Sequence, residues 1–412
     1  MRTDLPIAAF AALALIAAPA GAASAACPGP ALDPDLLESK LEAFAAVGDY
    51  SVVAAVADGD ESWTGAAGPR TVDGGEDAEA DDQVRIASLT KSMVAVVLFQ
   101  LEAEGELDLD DPIEDHLPGL LPYTETITVR QLMGHTAGLG DHFTKLFPSL
   151  AEGSIADLRT DMGVHHTPEE LVALGTEGPL LFTPGEGWMY SNTGYVVLGL
   201  LIEEITGHQL RHELDDRVFD EVGMDDTYLP RTSSAGFRGD HTTPYITTGD
   251  DADPYLDTTG LSHSVFWAAG GVVSDVDDVN AFYRAVADRT LLTAAQLAEA
   301  TDFRTTGWGF DYGLGFAGAK PGCPDDPDAV YMGHNGGGVG HMTYSFHSLD
   351  GERQATFTWN LDNSHGYVDW EELQRAQDAF IAAALCGVDA DESTVDVRPE
   401  TASSVEDLFA LD

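Results

Sequence analysis

Val84-Arg85-Ile86-Ala87-Ser88-Leu89-Thr90-Lys91-Ser92-Met93-Val94-Ala95-Val96-Val97-Leu98-Phe99-Gln100-Leu101-Glu102-Ala103-Glu104 carries the strongest helical pattern in the chain. Met93, Val94, Val97, Leu98 and Leu101 recur at helical spacing, which predicts a helix from about Ser88 to Glu104 with an apolar side. Gly105 is placed to stop it. Residues three apart share a helix face, so Ser88 and Lys91 are expected to be neighbours. A Ser hydroxyl becomes a useful nucleophile when a base takes its proton. A Lys serves as that base when burial or the positive end of a helix lowers its pKa. On this pair alone, a capping Ser beside a snorkelling Lys is the favoured reading.

Two further clusters lie downstream. Tyr190-Ser191-Asn192 follows the turn Thr183-Pro184-Gly185. A Tyr hydroxyl relays protons, and an Asn amide holds both a Lys and a substrate carbonyl. His334-Asn335-Gly336-Gly337-Gly338 follows a predicted strand, Val330 to Gly333. Bare glycines there let a substrate backbone approach the strand and leave N–H groups available; the plainer alternative is a hairpin turn. The sequence contains no His-Glu-x-x-His, Walker loop, dinucleotide fingerprint or Gly-x-Ser-x-Gly elbow. The Cys are few and scattered and His165-His166 are adjacent, so neither a metal site nor a cofactor is expected.

Outside these clusters, the pattern predicts a helix over 33–48 and strands over 50–56 and 62–67, turned by Asp58-Gly59-Asp60. Asp73 to Asp82 is an acidic loop. Residues 106–260 mix short helices with long loops, with one clear helix from Val196 to Thr206, and 232–262 are expected to be a long surface excursion. Strands are predicted over 312–318, 330–333, 341–347 and 354–361, and a closing helix over 368–385. This order predicts an α/β fold: an antiparallel sheet flanked by helices, built from both chain ends, with a mostly helical lobe inserted at about 106–260.

Taken together, Ser88-x-x-Lys91, Tyr190-x-Asn192 and His334-x-Gly336, about 100 and then about 140 residues apart, resemble the penicillin-recognising serine hydrolases. That group holds class C β-lactamases, serine D-alanyl-D-alanine carboxypeptidases and related esterases. Gly105-Glu106-Leu107-Asp108-Leu109-Asp110-Asp111-Pro112, Gly134-His135-Thr136-Ala137-Gly138-Leu139 and Ala268-Ala269-Gly270-Gly271 extend the resemblance over roughly 33–387. The resemblance implies a β-lactamase/transpeptidase-like fold. It also implies Ser88 as nucleophile, Lys91 and Tyr190 as the proton-transfer pair, and Asn192 orienting Lys91 and the acyl side chain. His334, Asn335 and Gly336 would line the substrate, and the N–H groups of Ser88 and Gly337 would form the oxyanion hole. Many relatives carry Thr or Ser where this chain has Asn335, and His334 replaces a fixed cation unless protonated. The expected activity is therefore that of a D-alanyl-D-alanine carboxypeptidase-like peptidase acting on peptidoglycan-type peptides. The alternatives are an esterase or β-lactamase of the same fold, or a non-catalytic penicillin-binding sensor module.

Acidic residues outnumber basic ones 71 to 19, a formal charge of −52, which excludes a nucleic-acid binder working through a general basic surface. Only four Lys occur: Lys40, Lys91, Lys145 and Lys320. Such a surface is expected of a halophilic protein, because salt screens its self-repulsion. Residues 1–25, with Arg2, the apolar Leu5 to Ala18 and Ala23-Ser24-Ala25, read as a signal peptide. No later segment is long and apolar enough to span a membrane, so the expected location is secreted or periplasmic. Cys323 and Cys386 are expected to pair in that compartment. Cys27 is left over; lipid attachment there is a minor alternative, since Ser24-Ala25-Ala26 lacks the expected Leu. The expected partner is a small-molecule or peptide substrate. Residues 388–412 form an acidic tail expected to be mobile.

Overall fold

The computed structural model describes residues 31–307 and 309–389. The expected signal peptide, Cys27 and nearly all of the acidic tail lie outside the described residues.

An antiparallel sheet organises the molecule. Its order is Glu61–Ala67, Val52–Asp58, Arg353–Trp359, Met342–Ser348, Tyr331–Gly337, Ala317–Ala319, Asp311–Tyr312, Arg304–Thr305. The N-terminal hairpin thus lies beside the C-terminal strands, with Val52 opposite Trp359 and Asp58 opposite Arg353. This is the expected fold built from both chain ends. Strand side chains alternate between faces, so each strand feeds two layers. Val52, Ala54, Val56, Tyr344, Phe357 and Trp359 face the helices Pro34–Ala45 and Trp370–Cys386. Val53 and Ala55 face the other layer. There Val276–Ala287 covers the sheet, and its Asn280 side chain donates to the Ala55 carbonyl (3.1 Å) and accepts from the Thr356 hydroxyl (2.8 Å). The disulfide Cys323–Cys386 ties the closing helix to the loop ahead of Tyr331–Gly337. Closing a loop with a sequence separation of 63 contributes about 4 kcal/mol in the chain-entropy account.

The serine segment differs from its one-sided expectation. Ala87–Leu89 is a 3-10 turn, and the α-helix runs Thr90–Glu104. Every residue from Thr90 to Phe99 is buried, so the helix is covered all round rather than along a stripe. The reason is its central position, with Asn192–Thr206 of the helical lobe packed against it and Val276–Ala287 in the same core. Gly105 does end the helix, at φ 78°, a backbone conformation that costs Gly little.

Two other expectations are corrected. Residues 232–262 are not simply a surface excursion. Tyr245–Thr247 and Tyr255–Asp257 form strands, and Tyr245 pairs in parallel with Leu361. The polar composition there serves internal hydrogen bonds: buried Thr258 takes a contact from Arg85, whose guanidinium also donates to the Thr258 and Thr259 carbonyls (3.0 and 3.1 Å). Likewise, the strand expected to end at Gly333 runs on through His334 to Gly337, which pair with Met342 to Ser345.

Candidate active site

Ser88 is presented by a strained turn. Ala87 sits at φ 48° immediately before it. Five described non-Gly residues have positive φ, and four of them lie on segments of this site: Ala87, His135, Trp267 and Val339. Such strain persists only where the surroundings over-determine the backbone. Ser88 is half-buried, so its hydroxyl remains reachable.

Lys91, three residues on, is completely buried. Its Nζ lies 2.9 Å from Ser88 Oγ, 2.8 Å from Asn192 Oδ1 and 2.6 Å from the Ala269 carbonyl. Two of those partners accept only, whereas the Ser88 hydroxyl both donates and accepts. A neutral Lys91 therefore spends its two N–H bonds on Asn192 and Ala269 and turns its lone pair to the Ser88 proton. Burial pushes its pKa down to about 7, against an opposing pull from Asp141. The amine is thus neutral in a large fraction of molecules near neutral pH.

Tyr190 completes the serine's surroundings, donating from its hydroxyl to Ser88 Oγ at 2.8 Å. Burial holds its pKa well above the ordinary phenol value, so it stays protonated. Asn192 begins the helix Asn192–Thr206, capped by the Ser191 hydroxyl, and its N–H donates to Asp141 at 2.6 Å. His135 brackets Tyr190 on both sides. Its carbonyl accepts from Met189 N–H (2.9 Å) and its Nδ1 from Ser191 N–H (3.2 Å). Its ring lies 4.3 Å from that of Tyr190.

His334 is buried at the edge of the site. Its Nδ1 faces the Asn335 carbonyl and its Nε2 lies 3.0 Å from the Tyr312 hydroxyl. A carbonyl only accepts, which assigns the proton to Nδ1 and makes Nε2 the acceptor. Burial and the charge of Lys91 lower its pKa to about 3, so His334 is neutral and supplies no cation. Asn335 lies one step along the strand, opposite Tyr344, and is therefore on the other face of the sheet.

Gly336 packs directly on the serine turn: a Cβ there would meet the Ile86 carbonyl oxygen at 2.4 Å. The bond from Gly338 N–H to the His341 carbonyl (2.8 Å) fixes which positions of Tyr331–Gly337 bond to Met342–Ser348. By alternation, Gly337 directs its N–H away from that neighbour. It points across an edge that Ala317–Ala319 covers only as far as Gly333.

Ser88, Lys91, Tyr190, Asn192, His334, Gly336 and Gly337 are thus brought together. Sequence reasoning gave no role to the Ala269 carbonyl, Asp141, Tyr312 or His135. A main-chain acceptor leaves no trace in residue type, and the other three lie far from the motifs in sequence.

The chain matches the Beta-lactamase family over residues 39–377. It is 28% identical over 292 residues to penicillin-binding protein 4* of Bacillus subtilis, covering 68% of this chain and 61% of that protein. It is 32% identical over 210 residues to esterase EstB of Burkholderia gladioli, covering 47% and 52%. It thus spans between half and two thirds of the length of these curated relatives. The solved D-stereospecific amidohydrolase from a Streptomyces species superposes with a TM-score of 0.74 at 31% identity, covering 86% of this chain and 99% of that one.

Proposed function

Because this chain belongs to the Beta-lactamase family, and is thus a serine hydrolase of the β-lactamase and penicillin-binding protein group, we propose that it cleaves amide bonds of D-amino-acid substrates through an acyl-enzyme on Ser88. Lys91 takes the Ser88 proton as Oγ attacks the carbonyl carbon. The N–H groups of Ser88 and Gly337 receive the developing oxyanion; losing one such donor costs about 2.7–4 kcal/mol in another serine hydrolase. The C–N bond breaks as Tyr190, with Lys91 behind it, returns a proton to the leaving nitrogen. Water then attacks the ester, losing its proton to the same pair, and frees Ser88.

The observation that carries the substrate reading is neutral His334. A C-terminal dipeptide or a β-lactam presents a carboxylate beside the strand that holds His334. Here that position offers no positive charge. Leaving groups without a carboxylate, such as simple amides, are therefore favoured over the D-alanyl-D-alanine terminus, which remains within the reach of the same chemistry. Action outside the cytoplasm is part of this proposal and is supported by the Cys323–Cys386 disulfide.

The test is a panel of D- and L-phenylalaninamide, an acyl-D-alanyl-D-alanine peptide, a p-nitrophenyl ester and nitrocefin. We expect the D-amide to be hydrolysed with the highest kcat/KM and Ser88→Ala to lose that activity. Preference for the L-amide, or for nitrocefin, overturns the reading. Fastest turnover of the ester makes the protein an esterase of the same fold.

A further inference from the structure

The segment Gly134-His135-Thr136-Ala137-Gly138-Leu139 is laced to the chain that carries Tyr190. The carbonyls of His135, Thr136 and Gly138 accept from the N–H groups of Met189 (2.9 Å), Gly185 (2.8 Å) and Leu181 (2.8 Å). Any residue type supplies such a carbonyl. His135 adds two contacts that depend on its side chain. Its Nδ1 accepts from Ser191 N–H at 3.2 Å, so the main chain is held on both sides of Tyr190. Its imidazole lies 4.3 Å from the Tyr190 ring, with the two planes 34° apart. Lys91 Nζ lies 4.7 Å from the same ring. A tyrosine hydroxyl sits at the end of two rotatable side-chain bonds, so what packs on the ring decides where the hydroxyl is.

His135 is held there at a local cost. Its φ is 57°, in the left-handed region that few non-Gly residues adopt, although His is among those that do so more readily. Because Nδ1 accepts, the proton of the neutral ring sits on Nε2. Burial, and then the charge of Lys91, holds the imidazole pKa well below its ordinary value, so the ring stays neutral. The resulting Nε2–H is buried and has no hydrogen-bond partner among the described residues. Its ring is surrounded by those of Tyr312, Tyr195 and Trp188 at 4.8, 5.3 and 5.9 Å. A left-handed backbone and an orphaned buried donor both destabilise, and such features persist where the surroundings over-determine them, typically at functional sites. What this histidine gains in return is the placement of Tyr190.

We propose that His135 is a positioning residue for Tyr190: its ring fixes the Tyr190 ring and its Nδ1 fixes the following main chain, so that the Tyr190 hydroxyl stays within reach of Ser88 and of the leaving atom. His135 acts through Tyr190 and transfers no proton itself. The inference rests on the proposed role of Tyr190 as proton donor to the leaving nitrogen. Three properties meet in this side chain: tolerance of positive φ, an acceptor at Nδ1 and a flat ring. Asn offers the first two and Phe the third.

The test compares kcat/KM, which reports acylation, for D-phenylalaninamide and a p-nitrophenyl ester in the parent protein, His135→Asn, His135→Phe and Tyr190→Phe. An amide nitrogen leaves only with a proton, whereas p-nitrophenolate leaves without one. His135→Asn should lose about 100-fold on the amide and no more than about threefold on the ester, since a misplacement of about 1 Å costs that order in rate only where the misplaced group acts. Added to Tyr190→Phe, it should cost nothing further on the amide, because the two residues act as one unit. His135→Phe should show the same split between substrates, so either variant decides the matter if the other fails to fold. A crystal structure of His135→Asn gives a readout independent of turnover: the Tyr190 hydroxyl should have left hydrogen-bond distance of Ser88 Oγ. A hydroxyl still at 2.8 Å overturns the proposal, as does an unchanged kcat/KM for the amide or a loss that adds in full to that of Tyr190→Phe. Equal losses on both substrates with the hydroxyl displaced uphold the positioning by His135 and overturn instead the role of Tyr190 as donor to the leaving group.

Discussion

Lys91 works as a base because its partners leave it one place to put a lone pair. Asn192 Oδ1 and the Ala269 carbonyl each demand a proton, and burial makes a third expensive. With a pKa of about 7 in the folded protein, the base form grows as pH rises through neutrality. We therefore expect kcat/KM to rise about tenfold per pH unit below pH 7 and to level off above it. A profile over pH 5–9 with the preferred substrate checks this. A flat acidic side would transfer the base role to another group. The same shift has a stability sign. The unfolded Lys titrates near its ordinary 10.5, so between about 7 and 10.5 the unfolded chain binds more protons and Lys91's contribution to stability rises with pH.

At the scale of elements, the site depends on a strand and a turn pressed together with no side chain between them. Gly336 is the contact point. An added Cβ would lie 2.4 Å from the Ile86 carbonyl oxygen and 3.1 Å from Ala87 Cβ, both fixed parts of the serine turn. Gly336→Ala must push Tyr331–Gly337 outward and carry the Gly337 N–H with it. Displacements of about 1 Å cost roughly 10²-fold in rate, so we expect kcat to fall by that order while the far-ultraviolet circular dichroism is retained. Unchanged kcat would remove this strand from the oxyanion hole. The three clusters and the strand–helix order were legible in the sequence because each is local: a helical spacing, a turn signal, a run of glycines. What escaped was set by tertiary contact. The serine helix looked one-sided because its second covering layer comes from residues about 100 and 190 positions later. Residues 232–262 looked like surface because their Thr side chains resemble loop residues until the buried Arg85 is placed against Thr258. The predicted strand stopped short at Gly333 because glycine composition does not distinguish a turn from a strand that must touch its neighbour.

Over the whole molecule, cations are so scarce that single arginines serve several carboxylates. Arg70 meets Glu76, Glu79 and Asp82 at 3.2, 3.7 and 2.8 Å. Arg217 holds Glu104 and Glu213, each at 2.6 Å, and Arg130 holds Asp110 and Glu299. With 71 acidic and 19 basic residues, carboxylates far outnumber the cations that could neutralise them. Exposed ion pairs contribute about 0–1 kcal/mol each, which does not offset repulsion summed over a net charge of −52. The unfolded chain spreads those charges further apart, so the repulsion falls mainly on the folded state. Raising salt from ~0.01 M to ~1 M shortens the Debye length from about 30 Å to about 3 Å, which removes repulsion between distant carboxylates and leaves part-buried pairs such as Arg70–Asp82 largely intact. We therefore expect Tm to rise with NaCl across that range and activity to persist at the upper end. KCl should act alike if screening is the cause, and sucrose at matched osmolality gives the charge-independent baseline. A Tm that stays level or falls with salt would mean that close-range pairing and burial already compensate the acidic surface. The chemistry at Ser88 would be untouched, because Lys91 and Tyr190 act on it across less than 3 Å, a distance that salt does not enter.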